Sequence, residues 1–85
     1  MPRTGPGMFD KTAGKEIKNR RKEKKITQKD LGKKVGVSYQ MIQKYEKGKS
    51  IIPAGVFIKI ATILKVSPVE LFKEVMKKLD PYWDH

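Results

Sequence analysis

Apolar residues recur along this chain at the three- and four-residue spacing of short amphipathic helices, and capping or helix-breaking residues separate the groups. The pattern predicts five helices, over residues 14–24, 28–34, 39–47, from 53 onward, and 68–79. Leu31 and Val35 share one face of the second helix, and Ile42 and Tyr45 form the stripe of the third. No stretch alternates as a strand does, so the expected fold class is all-α.

The most informative stretch is residues 27–48, where the capping signals are closely spaced. Thr27 is a good N-cap for the second helix, and Gly36 can take the positive φ that ends it. Ser38 caps the third helix and Gly48 closes it. These signals predict two short helices joined by a tight turn, which is the arrangement of a helix-turn-helix.

With Ile42 and Tyr45 turned inward, the opposite face of the third helix carries amides and amines and no acid. Gln can bridge N6 and N7 of adenine, and Lys can donate to O6 and N7 of guanine. The residues predicted to contact bases are Tyr39, Gln40, Gln43 and Lys44. For Tyr39 and Gln43, an unengaged surface side chain is an equal alternative.

An ordered series of residues extends this pattern over about residues 14–76. The series is Ile17, Arg21, Thr27, Gln28, Leu31, Gly36, Val37, Ser38, Ile42, Tyr45, Glu46, Gly48, Ile60, Ala61, Leu64, Val66, Leu71 and Phe72. It resembles the lambda-repressor/Cro-like helix-turn-helix family, also called the XRE type. The resemblance implies a five-helix, lambda-repressor-like domain with its helix-turn-helix at helices two and three. It also implies a transcriptional regulator that binds double-stranded DNA as a homodimer. Because a chain of this size leaves no room for an effector or catalytic domain, regulation is expected to come from occupancy of the site, most simply as repression.

The same resemblance suggests roles for residues outside the reading face. Arg21 lies four residues after Ile17 and needs a partner if it faces the core; the family pattern makes Glu46 that partner, against the alternative of two exposed charges. Gln28 is expected on a DNA phosphate. Further phosphate contacts are predicted for Lys29, Ser38, Lys47 and Lys49. Lys25 stands where the family often has glycine, so either it takes a strained left-handed conformation or the first helix ends differently.

Composition narrows the function classes. Twenty Lys and Arg against nine Asp and Glu give a net charge of +11, which favours a polyanionic partner. The chain has no cysteine, which fits a reducing cytoplasm, and its one histidine is the terminal His85. No apolar run approaches the about 20 residues of a membrane span. The acids are scattered, so we predict no enzyme, no metal site and no cofactor.

The expected organisation is a flexible arm at residues 1–13, the DNA-binding domain at 14–79 and a tail at 80–85. Apolar residues beyond the family pattern suggest a dimer surface, with packing against helix one as the alternative; they are Val75, Met76, Leu79, Tyr82 and Trp83. Two rival functions keep the fold: an antitoxin with a toxin partner, and an adaptor that bridges other proteins. A general nucleic-acid binder is the third.

Overall fold

Five α-helices follow one another in the computed structural model, which describes residues 6–80. Their bounds are α1 Met8–Glu23, α2 Gln28–Val35, α3 Tyr39–Glu46, α4 Ala54–Ile63 and α5 Pro68–Leu79. The part of the chain that is described contains no strand. The all-α fold and the ends of the four later helices agree with the prediction to within about one turn.

The core is one cluster to which all five helices contribute. Its buried apolar members are Ala13, Ile17, Leu31, Val35, Ile42, Tyr45, Ile52, Phe57, Ile60, Ala61, Leu64, Leu71 and Val75. The predicted apolar stripes of α2 and α3 are therefore confirmed. α1 crosses both α3 and α5, so it connects the helix-turn-helix to the C-terminal part of the domain.

The expected start of α1 is wrong, because the helix begins at Met8 rather than near residue 14. The backbone N–H of Gly7 donates to Asp10 Oδ2 at 3.0 Å, which caps the first turn. Phe9 packs against Phe57 and Phe72, with ring centroids 5.8 and 5.6 Å apart. Residues 8–13 of the expected arm are thus helical and packed; residues 1–5 lie outside the described part.

One expectation for α5 also needs correction. Val75, expected on a dimer surface, is 0% exposed, whereas its neighbour Phe72 is 42% exposed. Leu71 and Val75 lie four residues apart and face the core together, which turns Phe72 toward the edge of the domain. Pro68 does open the helix, but Ser67 makes no side-chain capping hydrogen bond.

Lysines occupy two positions that favour glycine. Lys25 has φ of 57° and Lys65 has φ of 60°, and each follows the end of a helix. Left-handed backbone costs an L-residue roughly 1–2 kcal/mol, so each turn carries some strain. Of the two alternatives for Lys25, the left-handed conformation is the one observed.

Candidate nucleic-acid interface

α3 is half buried along its length, as the sequence predicts. Ile42 is 0% and Tyr45 is 4% exposed, and both lie in the core cluster. On the other side, Tyr39, Gln40 and Lys44 are exposed, and Gln43 is half-buried. We call these four residues the reading face. Their individual contacts with bases stay predictions.

Local capping fixes where α2 and α3 begin. The Thr27 hydroxyl accepts the N–H of Asp30 at 3.0 Å, and the Ser38 hydroxyl accepts the N–H of Met41 at 3.2 Å. Gly36 has φ of 93° and ends α2, so the chain turns sharply into α3. Because a hydroxyl can accept and donate together, the cap leaves the Ser38 proton available to a phosphate.

α2 and the turn meet at a glycine. A Cβ added to Gly32 would lie 2.7 Å from the carbonyl oxygen of Val37, closer than side-chain carbons approach. The absent side chain therefore lets the turn and the start of α3 lie directly on α2. This close contact fixes the position of the start of α3 against α2.

The predicted ion pair between α1 and α3 is present and buried. Arg21 Nε donates to Glu46 Oε2 at 2.6 Å, and a second guanidinium nitrogen donates to Oε1 at 3.1 Å. Arg21 also donates to the backbone carbonyl of Ile26 at 2.9 Å. Glu46 is 5% exposed, so its charge is directed away from any anion at the reading face.

Gln28 joins the same cluster. Its amide nitrogen donates to Glu46 Oε1 at 2.9 Å, which links the first turn of α2 to the last turn of α3. The sequence suggested a phosphate contact for Gln28 and did not suggest this one. An amide nitrogen carries two donors, so one remains for a phosphate. The phosphate contact stays a prediction.

Further exposed lysines lie on α2 and in the loop after α3. They are Lys29 and Lys33 on α2, and Lys47 and Lys49 in the loop. In that loop Gly48 has φ of 70°, and the N–H of Lys49 donates to the carbonyl of Lys44 at 2.9 Å. The loop is therefore ordered while its two lysines reach solvent.

The charge is distributed unevenly along the chain. Residues 10–49 contain fourteen Lys and Arg against five Asp and Glu, a net +9. Residues 50–80 contain five against three, a net +2. The helix-turn-helix half is therefore the half that attracts a polyanion.

Sequence reasoning missed the role of Asp10, which is 9% exposed. Its Oδ1 accepts the backbone N–H of Ile52 at 2.9 Å, across 42 positions of the chain. The spacing of Gly7 and Asp10 was a usable N-cap signal, but nothing local indicated a contact with the loop after α3.

A second acid on α1, Glu16, faces α5. It accepts from Arg20 Nε at 3.1 Å and is paired with the ammonium of Lys78. Burial alone would raise the pKa of Glu16, but Lys78 and Arg20 together lower it below the ordinary value. The ionised carboxylate of Glu16 therefore links α1 to α5 at neutral pH.

α4 and α5 expose large apolar side chains as well as charged ones. Ile58 is 51%, Val69 is 60% and Phe72 is 42% exposed; these three residues are the apolar face. They line an open groove of about 420 Å³ together with Phe9, Ile52, Ala54, Phe57 and Pro68. Among the predicted dimer residues, Met76 and Leu79 are half-buried, and Tyr82 and Trp83 lie outside the described residues.

Other kinds of site find no support in residues 6–80. No three of the His, Cys, Asp or Glu side chains there are arranged to hold a metal ion. None of the five helices in this range combines the length and the apolar character that crossing a bilayer requires.

Comparison with known proteins agrees with this geometry. The model of a helix-turn-helix family matches residues 17–71, which contain both helices of the motif and most of the core. The chain belongs to the XRE-type, lambda-repressor-like helix-turn-helix family. This is a family of DNA-binding transcription regulators.

Relatives of this helix-turn-helix chain carry regulatory names. It is 36% identical over 77 residues to the uncharacterized HTH-type transcriptional regulator y4wC of Sinorhizobium fredii, covering 91% of the chain and 54% of that protein. It is 36% identical over 75 residues to an uncharacterized transcriptional regulator in the ATPase CF(0) region of Rhodospirillum rubrum, covering 88% and 68%. The chain thus spans about half the length of the first relative.

Solved structures show the same fold. A mutant of the restriction-modification controller protein C.Esp1396I superposes with a TM-score of 0.79 at 25% identity, over 91% of this chain and 100% of that one. The P22 c2 repressor protein, solved in complex with a synthetic operator, gives 0.64 at 36% identity, over 69% and 89%.

Proposed function

We propose that this chain binds duplex DNA in a sequence-specific manner, with α3 in the major groove, and thereby regulates transcription. One observation carries the proposal: α3 turns Ile42, Tyr45 and Glu46 inward and leaves amide and amine groups outward. An α-helix fits the major groove, and such groups match the donor and acceptor pattern of base edges.

The exposed groups divide into two roles. Gln40 and Lys44 are exposed on the reading face, so we assign them to base edges, with Tyr39 and Gln43 beside them. Lys29, Lys47 and Lys49 are exposed at its margins, so we assign them to phosphates, together with Ser38 and the spare amide donor of Gln28. Base contacts give specificity, and phosphate contacts give position and affinity.

Selection from random duplexes tests this division. The wild type is expected to enrich a defined half-site, and Gln40→Ala or Lys44→Ala to relax single positions by about 1–3 kcal/mol each. Lys49→Ala is the matched control, since it should weaken all sequences alike and lower the salt slope by about one unit. Equal losses for both groups, or no enriched site, would contradict the proposal.

We further propose that the active form is a homodimer that meets through the apolar face. Ile58, Val69 and Phe72 are each about half exposed and line one apolar groove, and a contiguous exposed apolar patch is typical of a protein contact site. Two copies that each carry +11 would repel each other, but residues 50–80 contribute only +2 of that charge. Pairing through this half keeps the basic surfaces apart and free for two half-sites about 34 Å apart.

Sedimentation of the purified chain tests the dimer. Val69→Glu places a charge on the apolar face and should shift the dimer to monomers, because a buried unpaired carboxylate is costly. Asn19→Glu adds the same charge at an exposed position of α1 and should leave the dimer intact. A wild type that is monomeric both free and on its selected duplex would overturn this part.

The simplest regulatory outcome is repression, in which an occupied site blocks polymerase in the cytoplasm. The antitoxin alternative makes a different prediction, since a second small protein would copurify with the chain in fixed stoichiometry. An adaptor would retain a partner protein and select no duplex.

A further inference from the structure

We propose that Asp10 is a positioning residue for DNA binding, which holds the loop after α3 so that Lys47 and Lys49 face the DNA backbone. This inference rests on the proposed function. It concerns the first two turns of α1, residues 8–14, which precede the matched family region at residues 17–71.

These two turns contact the α3–α4 connection at three successive points. Gly14 touches the end of α3, where an added Cβ would lie 2.1 Å from the carbonyl oxygen of Tyr45. Lys11 lies against Gly48, where an added Cβ would lie 2.7 Å from Lys11 Cγ. Asp10 accepts the N–H of Ile52 at 2.9 Å. The chain is thus held before, within and after the loop.

The lysines lie between these fixed points. Lys47 precedes Gly48, and Lys49 lies between Gly48 and Ile52; both are exposed, whereas Gly48 and Ile52 are buried. A loop held at both ends and in the middle presents its remaining side chains in a narrow range of directions. Of these three contacts, the one made by Asp10 is a hydrogen bond to a carboxylate, whereas the other two are close packing contacts.

Asp10 is itself held firmly enough to fix the loop. Its second oxygen accepts the N–H of Gly7, and its neighbour Phe9 packs on Phe57 and Phe72. Hydrogen bonds from backbone N–H to a carboxylate are stronger than neutral ones. The loop is therefore fixed to α1 through Asp10, in addition to the packing of its own Ile52 in the core.

Because Asp10 is an acid, its removal should change DNA affinity in opposite directions under a purely electrostatic explanation and under a positioning role. Removing an acid raises the net charge of the chain, and general electrostatics then predicts tighter binding to DNA. A positioning role predicts the opposite. Glu16→Gln is the matched control, since it removes an acid from the same helix but its partners are Arg20 and Lys78, away from the loop.

The experiment measures duplex affinity against salt for the wild type, Asp10→Asn, Asp10→Ala and Glu16→Gln. We expect both Asp10 variants to weaken all duplexes alike and to lower the log–log salt slope by about one to two units, one for each phosphate that a lysine no longer neutralises. We expect Glu16→Gln to bind as tightly as the wild type or tighter. Asp10 variants that bind as the control does would overturn the inference.

Two further measurements separate positioning from general stability. Amide exchange of the free protein should be faster at Ile52 by about ten- to a hundredfold in Asp10→Asn, the factor for one hydrogen bond to a charged group. In a background that carries both Lys47→Ala and Lys49→Ala, the Asp10 effect on affinity should largely disappear, because Asp10 acts through the phosphates that these two lysines neutralise. Unchanged exchange at Ile52, or additive losses, would overturn the inference.

Failure of the two proposals can be distinguished. A wild-type chain that selects no duplex overturns the proposed function and the DNA role of Asp10 with it. A wild type that selects a duplex, with Asp10 variants that bind it normally, overturns the role of Asp10 alone.

Discussion

The two halves of this domain are both built of α-helices, but they differ in the charge and in the apolar groups that they expose. Residues 10–49 carry a net +9 and turn their apolar groups inward, so that lysines and amides reach solvent. Residues 50–80 carry a net +2 and leave Ile58, Val69 and Phe72 exposed. The family match covers parts of both halves and identifies their common fold. The difference between their surfaces is the reason we propose a polyanionic partner for one half and an apolar partner surface for the other.

Two ion pairs that join helices of this domain also differ in how far they are exposed to solvent. Glu46 and Arg21 are sealed in the helix-turn-helix half, with side chains 2% and 10% exposed. Glu16 joins α1 to α5 through Lys78, whose side chain is 53% exposed. Removing one partner of a buried ion pair leaves an unpaired buried charge and lowers stability strongly. Removing one partner of a partly solvated pair costs less, because water can solvate the remaining charge. Substitutions in the two pairs should therefore differ in size.

The largest expected effect comes from Glu46→Ala. It strands the buried guanidinium of Arg21 and removes the acceptor of Gln28, so the free energy of unfolding should fall by about 3–5 kcal/mol. Glu16→Ala is the comparison and should cost less than about 1 kcal/mol, because Lys78 remains solvated. Urea unfolding of both variants checks the difference, and similar losses would refute the distinction between the pairs.

Gly14→Ala should be next in size. The new methyl would lie 2.1 Å from the carbonyl oxygen of Tyr45, so α1 and α3 must move apart at a cost of about 1–3 kcal/mol or more. The matched substitution Gly55→Ala meets nothing within 4 Å and should be neutral or stabilising by up to about 1 kcal/mol. Thermal unfolding compares them; a tolerated Gly14→Ala would mean that the two helices are not in close contact.

The smallest effect concerns pH and the link between α1 and α5. The pKa of Glu16 is lowered on folding, so its contribution is present above the unfolded pKa and is lost as pH falls through the folded pKa. The stability difference between wild type and Glu16→Gln should therefore be at most about 1 kcal/mol at pH 7 and vanish in acid. A difference that grows as pH falls would contradict the assigned sign.

Local signals in the sequence predicted most of the helix-turn-helix. Thr27, Gly36 and Ser38 act on residues within a few positions of themselves, so their roles can be recognised without a fold. The inward turn of Ile42 and Tyr45 followed from helical spacing alone. Burial of Glu46 followed from the same spacing, and its pairing with Arg21 from the family pattern.

The remaining features depend on how helices dock. Leu71, Phe72 and Val75 are all apolar and close in the sequence, and only the position of α1 decides that Phe72 is exposed and Val75 is buried. The hydrogen bond from Ile52 to Asp10 crosses 42 positions and requires both ends to be placed first. The early start of α1 was missed because glycine and proline nearby suggested an arm.

We propose that the reading face of α3, and not general positive charge, recognises DNA. The most direct measurement compares Lys44→Ala with Lys59→Ala on the selected duplex, since each removes one exposed lysine, from the helix-turn-helix half and from α4 respectively. Lys44→Ala is expected to lose about 1–3 kcal/mol of binding free energy on the selected site and less on random duplex, while Lys59→Ala should stay near wild type on both. Equal losses for the two lysines, with no difference between selected and random duplex, would contradict it.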